Sequence, residues 1–270
     1  MAITTLDGAL AGMQAPRWIA KAVTPTLVAG KPQSLWGLGG SPGPGSFDTT
    51  LNGVALSSTS ANVAGQIPHT DPASANAYLG RFSGVSLVSG MLLLCDRLWH
   101  NGGYTITATT AQNSTTPAWN ARDAAGSANG DGVLLGLEIS AAAGAAAPTI
   151  TIGYTNEAGT ASRSAVNSVA TANSPAAGSF FPIGLQAGDK GVRSVQSLTL
   201  SVSWVSGTMN LVAYRVLAAL ELSVGNVPAA VDALTGGFPR LYNGVVPFLI
   251  FIPSTTTASN VSGTYTETQG

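Results

Sequence analysis

Alternation of apolar and polar residues predicts the fold of the chain after about residue 80. The clearest run is 198–204, in which leucine, valine and tryptophan alternate with threonine and serine. The same period of two, which is typical of half-buried β-strands, occurs in 104–108, 133–139 and 150–155. Turn-forming residues follow at 101–103 and 156–159, and they predict antiparallel hairpins.

Two further segments, 211–217 and 246–252, are apolar on both faces rather than on one. A strand of this kind is buried between two layers. We expect the second layer to be either the N-terminal segment of the same chain or a symmetry-related copy, and the sequence leaves both open.

Helical patterns are confined to two short segments, 6–14 and 228–234. In the second, Asn226 is a candidate cap, and Gly236 with Gly237 would end the helix. Parallel sheets need helical crossovers, which are scarce in this chain. The sequence therefore predicts an all-β fold, an antiparallel β-sandwich of jelly-roll or immunoglobulin-like type.

The first part of the chain has a different character. From residue 18 to about 78 it is dense in turn formers, above all in 39–45, and its apolar residues occur singly. We expect residues 1–79 to form an extended N-terminal arm with long loops, lying over the main domain or over a neighbouring subunit. The boundary is placed near Gly80, and residues 80–270 form the β-sandwich domain.

Charge is scarce in this sequence. Charged residues make up 9% of the chain, whereas an ordinary soluble domain carries roughly a quarter. We therefore expect neighbouring subunits to cover part of the surface. The candidate subunit-interface residues are aromatic side chains in turn-rich segments or on a two-sided strand: Trp18, Trp36, Phe47, Tyr242, Phe248 and Phe251.

Several partner classes are not expected. The formal net charge is -1 and Lys21, Lys31 and Lys190 are the only lysines, so nothing favours nucleic acid. No run approaches the roughly 18 apolar residues of a membrane span, and the start lacks the pattern of a secretory signal. Cys95 is the single cysteine, which indicates a buried thiol in a reducing compartment.

Histidine chemistry is limited to His69 and His100. His69 lies in a turn between two prolines, and His100 ends a predicted strand, so we expect neither to be a general base. His69, Asp71 and a distant carboxylate could form a metal site, but zinc-type ligand spacing is absent. We expect no metal ion and no cofactor.

Other catalytic signals are equally weak. Asp123, Asp131, Glu138 and Glu157 could converge as a glycosidase pair, although Asp131 lies in a tight turn and Glu138 on a strand. The glycine-rich stretch 37–45 lacks the lysine and following helix of a phosphate loop. The sequence does not predict an enzyme.

Three segments, 1–13, 92–100 and 237–242, resemble a group of tailed-bacteriophage virion proteins, and the likeness spans most of the chain. The resemblance implies a capsid decoration, or cement, protein on the exterior of the virion, assembled in the bacterial cytoplasm. It implies the major capsid protein and copies of itself as partners, in a trimer or another closed ring. It assigns no functional residues.

Two other functions remain open from the sequence. A tail, baseplate or fibre component would use the same architecture with a different partner. A carbohydrate-binding or glycan-hydrolysing module would use Trp36, Trp119 or Tyr242 to stack on sugars.

Overall fold

A computed structural model describes residues 3–21, 27–61, 63–237 and 239–270. Within these residues the chain is almost entirely β-structure, which confirms the predicted all-β class. The helices are α1 (Leu6–Ala11) and α2 (Ala233–Gly236). The strands are β1 (Arg17–Lys21), β2 (Gln33–Ser34), β3 (Gly40–Ser41), β4 (Val54–Ala55), β5 (Ala77–Ser86), β6 (Gly90–His100), β7 (Gln112–Asn113), β8 (Leu134–Ala141), β9 (Ile150–Asn156), β10 (Arg163–Asn167), β11 (Phe180–Gly184), β12 (Val192–Leu200), β13 (Thr208–Leu222), β14 (Ala229–Asp232), β15 (Arg240–Leu241), β16 (Pro247–Pro253) and β17 (Val261–Gln269).

These strands form two antiparallel sheets. The six-stranded sheet has the order β14-β5-β17-β1-β3, with β15 also on β5. The eleven-stranded sheet has the order β2-β16-β6-β13-β8-β11-β10-β9-β12-β7, with β4 also on β6. No helix among the described residues is long and apolar enough to cross a membrane.

The two sheets pack face to face over one apolar core. Phe82 and Tyr265 of the six-stranded sheet meet Leu92, Leu220 and Leu249 of the large sheet in this core. All five side chains are at most 4% exposed. This packing is the β-sandwich that the alternating strands predict.

The far end of the large sheet curls around a second core. Leu135, Ile152 and Leu198 come from three different strands, and Trp204 stacks on Phe181 with ring centroids 6.0 Å apart. All five of these side chains are at most 1% exposed. A long sheet that curls in this way covers its own inner face.

The two-sided strands β13 and β16 are covered by the chain itself. Trp36, Leu56 and Val63 of the N-terminal segment pack on the face of the large sheet that carries Tyr214 and Phe248. Backbone hydrogen bonds fix this cover; Leu35 N, for example, donates to Leu249 O at 2.9 Å. Of the two layers left open by the sequence, the N-terminal segment is the one found.

The N-terminal segment is therefore part of the sandwich. It contributes β1 to the six-stranded sheet, and β2 and β4 to the large sheet. The expected domain boundary at Gly80 falls inside β5, a ten-residue strand. Residues on both sides of that position share the same cores.

Three local predictions differ from the structure. Residues 104–108 form a loop, because the side chain of Gln112 bonds both the N–H and the carbonyl of Thr105, as a partner strand would. The segment 228–234 is strand β14 followed by α2. Asp232, not Asn226, caps that helix, and Gly237 ends it with a φ of 57°. The first predicted helix is confirmed as α1.

Candidate functional site

A third of the charged side chains of this protein are buried in its interior. Eight of the 11 basic and 12 acidic residues are buried, namely Lys21, Asp96, Arg97, Arg122, Asp123, Glu138, Arg215 and Glu267. About one charged residue is then left per 700 Å² of the 10624 Å² surface, which is sparse for a soluble protein. The sequence showed that charge is rare, but not that a third of it is internal.

The largest buried group lies between the N-terminal cover and the large sheet. Arg97 Nη1 is 2.8 Å from Glu138 Oε2, and Arg122 Nε donates to Asp96 Oδ2 at 3.1 Å. Arg122 also donates to the carbonyl of Leu56 at 2.7 Å. The bond to Leu56 ties the cover to this group, and the two ion pairs hold both carboxylates against buried cations, away from the surface.

Arg97 sits in an aromatic cage. Its guanidinium carbon lies 4.6 Å from the ring centroid of Trp36 and 5.3 Å from that of Phe248. Burial lowers the pKa of Arg97, and the charge of Glu138 opposes that effect. The cage holds the cation where water is excluded, because aromatic faces attract cations.

His100 is neutral and committed to Arg97. Burial, together with the charge of Arg97, lowers the pKa of His100 to about 2. Its Nδ1 accepts a hydrogen bond from Arg97 Nε at 3.0 Å. The imidazole has no free basic nitrogen directed at solvent.

His69 bridges two carboxylates. Its Nδ1 is 2.6 Å from Glu267 Oε1 and its Nε2 is 2.8 Å from Asp71 Oδ1, and the side chain is fully buried. Burial by itself would lower the pKa of His69, but the bonds and charges of Glu267 and Asp71 outweigh it and raise the pKa. Both ring nitrogens are occupied, so the three residues form an ionic clamp between the N-terminal segment and β17.

Three of the four carboxylates considered for glycosidase chemistry, Asp123, Glu138 and Glu157, are engaged by groups of the same chain. Asp123 accepts from the backbone N–H groups of residues 125, 127, 130 and 131, and from the hydroxyl of Ser127. Glu138 is paired with Arg97, and Glu157 Oε2 accepts from Gly191 N at 3.1 Å. No group of three His, Cys, Asp or Glu side chains in the described residues has the arrangement of a metal site.

The glycine-rich stretch 37–45 folds around a buried lysine. Lys21 Nζ donates to the carbonyls of Leu38, Pro42 and Gly43 at 3.1, 2.9 and 3.3 Å. Desolvation lowers the pKa of Lys21 to about 8. The carbonyls of this loop face a cation, which is the opposite polarity to a phosphate-binding loop.

Cys95 lies in the same layer as Trp36. It is fully buried as a free thiol. Burial raises the pKa of Cys95 well above its ordinary value, and the charge of Asp96 adds to this effect. The thiol is therefore held in its unreactive protonated form.

The six candidate interface residues fall into three groups. Trp36, Phe248 and Phe251 are at most 1% exposed inside the chain's own cores, so they present no side chain to a neighbour. Trp36 and Phe248 are buried where the N-terminal segment covers the large sheet, and Phe251 is buried in the core between the two sheets. Phe47 and Tyr242 are half-buried, and Tyr242 lies against Arg240 at 4.9 Å. Trp18 is 64% exposed. Trp119, a proposed sugar platform, is buried.

The outer face of the six-stranded sheet is the exposed region that sequence reasoning largely missed. We define the outer face as the side of that sheet that carries Trp18 and Thr264, together with α1 and α2. Leu6, Leu10 and Leu234 of the two helices are 55%, 62% and 78% exposed. The spacing of four between Leu6 and Leu10 on a short helix was the available signal.

No protein-family model matches the chain, and no curated protein matches it. Solved structures with partial similarity include particles of infectious bursal disease virus. The VP2 subviral particle has 11% sequence identity and a TM-score of 0.19, over 75% of this chain and 46% of that chain. The T13 viral particle has 10% identity and a TM-score of 0.15, over 93% of this chain and 39% of that chain. The chain spans less than half the length of these matched chains, and the similarity is too low to support an inference about function.

Proposed function

We propose that this chain is a structural virion protein that binds the capsid lattice of a tailed bacteriophage and stabilises it, as a decoration or cement protein. The observation that carries the proposal is the placement of charge: eight charged side chains are internal, and large apolar side chains remain exposed. A surface of this composition favours contacts with other subunits over solvation as a free monomer.

The chemistry of the interior supports the same proposal. His69, His100, Asp123 and Glu138 each bond to groups of the same chain. Such bonds stabilise a rigid scaffold and leave no nucleophile and base in mutual contact among them. The resemblance of segments 1–13, 92–100 and 237–242 to tailed-phage virion proteins points to a phage particle as the setting.

Attachment to shells would stabilise them through repeated burial. A standard protein interface buries on the order of 1,600 Å² in total, and repetition over a lattice converts modest affinities into a durable shell. The proposed partners are the major capsid protein and copies of this chain, on the exterior of a virion assembled in the host cytoplasm.

Co-sedimentation of the purified chain with empty capsid shells of its phage tests the proposal. We expect saturable binding, and shells carrying the chain should release their contents at a higher temperature than bare shells. A chain that leaves the shells unbound would overturn the decoration role. Imaging of the virion gives the position, and density on the tail, baseplate or fibre would assign the chain there instead.

A further inference from the structure

The outer face of the six-stranded sheet combines one large aromatic side chain with small neighbours. Trp18 lies directly opposite Thr264 in the β1–β17 pair, and Thr264 lies opposite Ser83 in β5. The hydroxyls of Ser83 and Thr264 are 2.7 Å apart and satisfy each other. Trp18 therefore projects above a low, uncharged row, ready to enter a complementary surface.

The same face has an apolar end. Neither α1 nor α2 buries any residue, and Leu6, Leu10 and Leu234 border a cavity of about 240 Å³ with Met13. Gly80 makes room for Met13, because a β-carbon at Gly80 would lie 2.9 Å from the Met13 sulfur. Five of the fourteen exposed large apolar residues of the described chain lie on this one face: Leu6, Leu10, Met13, Trp18 and Leu234.

Most of the other apolar surface of the sheets is already covered, although single side chains of the large sheet such as Met91 and Val216 are 42% and 37% exposed. The inner face of the six-stranded sheet packs on the large sheet, and the N-terminal segment covers β13 and β16. The outer face is the sheet face that keeps a cluster of exposed leucines and a tryptophan among the described residues.

The size of the outer face fits a protein interface. β17 has nine residues, which gives a length of about 30 Å, and the five strands of the main path span about 20 Å. Because β14, β1 and β3 have only four, five and two residues, the five strands together cover roughly 500 Å². Helices α1 and α2 extend the face toward the roughly 800 Å² per partner of a stable complex.

The charges on the face are self-complementary. Arg81 lies opposite Asp232 in the β5–β14 pair, and both border the cavity beside α1 and α2. A two-fold rotation about an axis between them reverses the pair, so that Arg81 of each copy meets Asp232 of the other. Such matching is the property of an isologous contact, in which one patch binds itself.

We propose that the outer face, with the leucines of α1 and α2 at its centre and Trp18 toward its edge, is a two-fold interface between copies of this chain. This inference rests on the proposed function, since it names the contact by which the subunit associates with itself. The smallest closed assembly that the interface builds is a dimer.

Sedimentation velocity of the full chain over a range of concentrations tests the interface. We expect a dimer for the wild type. The dissociation constant of the dimer should be about tenfold or more higher for the double variant Trp18→Thr/Leu234→Ser. The control variant Val166→Thr/Val202→Ser changes two apolar residues away from the outer face, in β10 and after β12, that are 48% and 46% exposed. It should remain dimeric.

Charge reversal adds a second readout. Arg81→Glu places two acids together across the axis and should weaken the dimer, and Arg81→Gln, which only removes the charge, should weaken it less. Both variants keep Asp232, which caps α2, so the helix that carries Leu234 is retained.

A monomeric wild type, a trimer, or a dimer that Trp18→Thr/Leu234→Ser leaves intact would overturn the interface. These outcomes are separate from failure of the capsid role, because shell binding is measured independently. A monomer that binds shells to saturation would contradict only the two-fold interface. A dimer that does not bind shells would contradict only the decoration role.

Discussion

His69 Nδ1 lies 2.6 Å from Oε1 of Glu267, a residue 198 positions further along the chain. The contact joins a turn of the N-terminal segment to the strand β17, and Asp71 holds the opposite side of the imidazole. Asp71 also accepts from Gly244 N at 2.8 Å. One histidine thus connects three segments that are distant in sequence.

Stability should depend on the charge of His69. The folded pKa of His69 is raised above the ordinary 6.5. Its contribution to the free energy of unfolding is therefore complete below about pH 6.5 and is lost as pH rises through the folded pKa. His69→Gln should cost about 1.5–3 kcal/mol at pH 5.5 and less at pH 9, because the charged hydrogen bonds are lost. Urea unfolding across this pH range measures the difference, and a pH-independent cost would contradict the clamp.

His100 should show the opposite dependence on pH. Its folded pKa is lowered to about 2, so the buried neutral form stabilises the fold above about 6.5 and that stability declines as pH falls. Below that pH, His100 lowers the free energy of unfolding by about 1.4 kcal/mol per pH unit. His100→Asn keeps an acceptor near Arg97 and removes the titration, so its stability should fall less between pH 7 and 5. Equal slopes for wild type and variant would refute this assignment.

Breaking the ion pair between Arg97 and Glu138 should destabilise the fold strongly, whereas replacing both residues by apolar ones should destabilise it little. Glu138→Leu leaves a buried arginine without its partner and should cost about 3–5 kcal/mol. Arg97→Met/Glu138→Leu removes both charges and should recover most of that loss. Denaturant unfolding of the two single variants and the double variant gives the coupling energy, and additive losses would contradict the pairing.

The sequence predicted the strands better than the contacts between them. Alternation identified β9 and β12 because one face of each strand is buried, and it identified β8 although Glu138 on its second face is buried as well. The same alternation failed at 104–108, where Tyr104 and Ile106 are buried but the backbone bonds to the Gln112 side chain. Periodicity reports which side chains are buried, and not what the backbone binds.

The charged clusters could not be predicted, because they depend on topology. Nothing near Arg97 in the sequence indicates that Glu138 and Trp36 will surround it, since those residues come from different strands and loops. The two apolar faces of β13 and of β16 predicted that a further layer covers these strands. The identity of that cover could not be predicted, because a segment of the same chain and a second copy provide equivalent apolar surface.

Trp36 and Trp18 have the two roles that the sequence could not distinguish, namely a buried core residue and an exposed surface residue. Trp36 is fully buried, and its Nε1 donates to Ser46 O at 2.9 Å, so Trp36→Ala should cost about 3–5 kcal/mol. Trp18 is 64% exposed, and Trp18→Ala should change the stability of the isolated subunit by about 0.5 kcal/mol or less. Denaturant unfolding of dilute protein compares them.

Labelling of Cys95 gives an independent measure of the same cover. The thiol is buried in the layer that Trp36 closes, and its pKa is raised by burial, so a thiol reagent should react only after that layer opens. Trp36→Ala should therefore accelerate labelling under native conditions, whereas Trp18→Ala should leave the rate at the wild-type value. Rapid labelling of the wild type would show that the N-terminal segment is not a stable cover, and it would return the two-sided strands to contact with a neighbouring subunit.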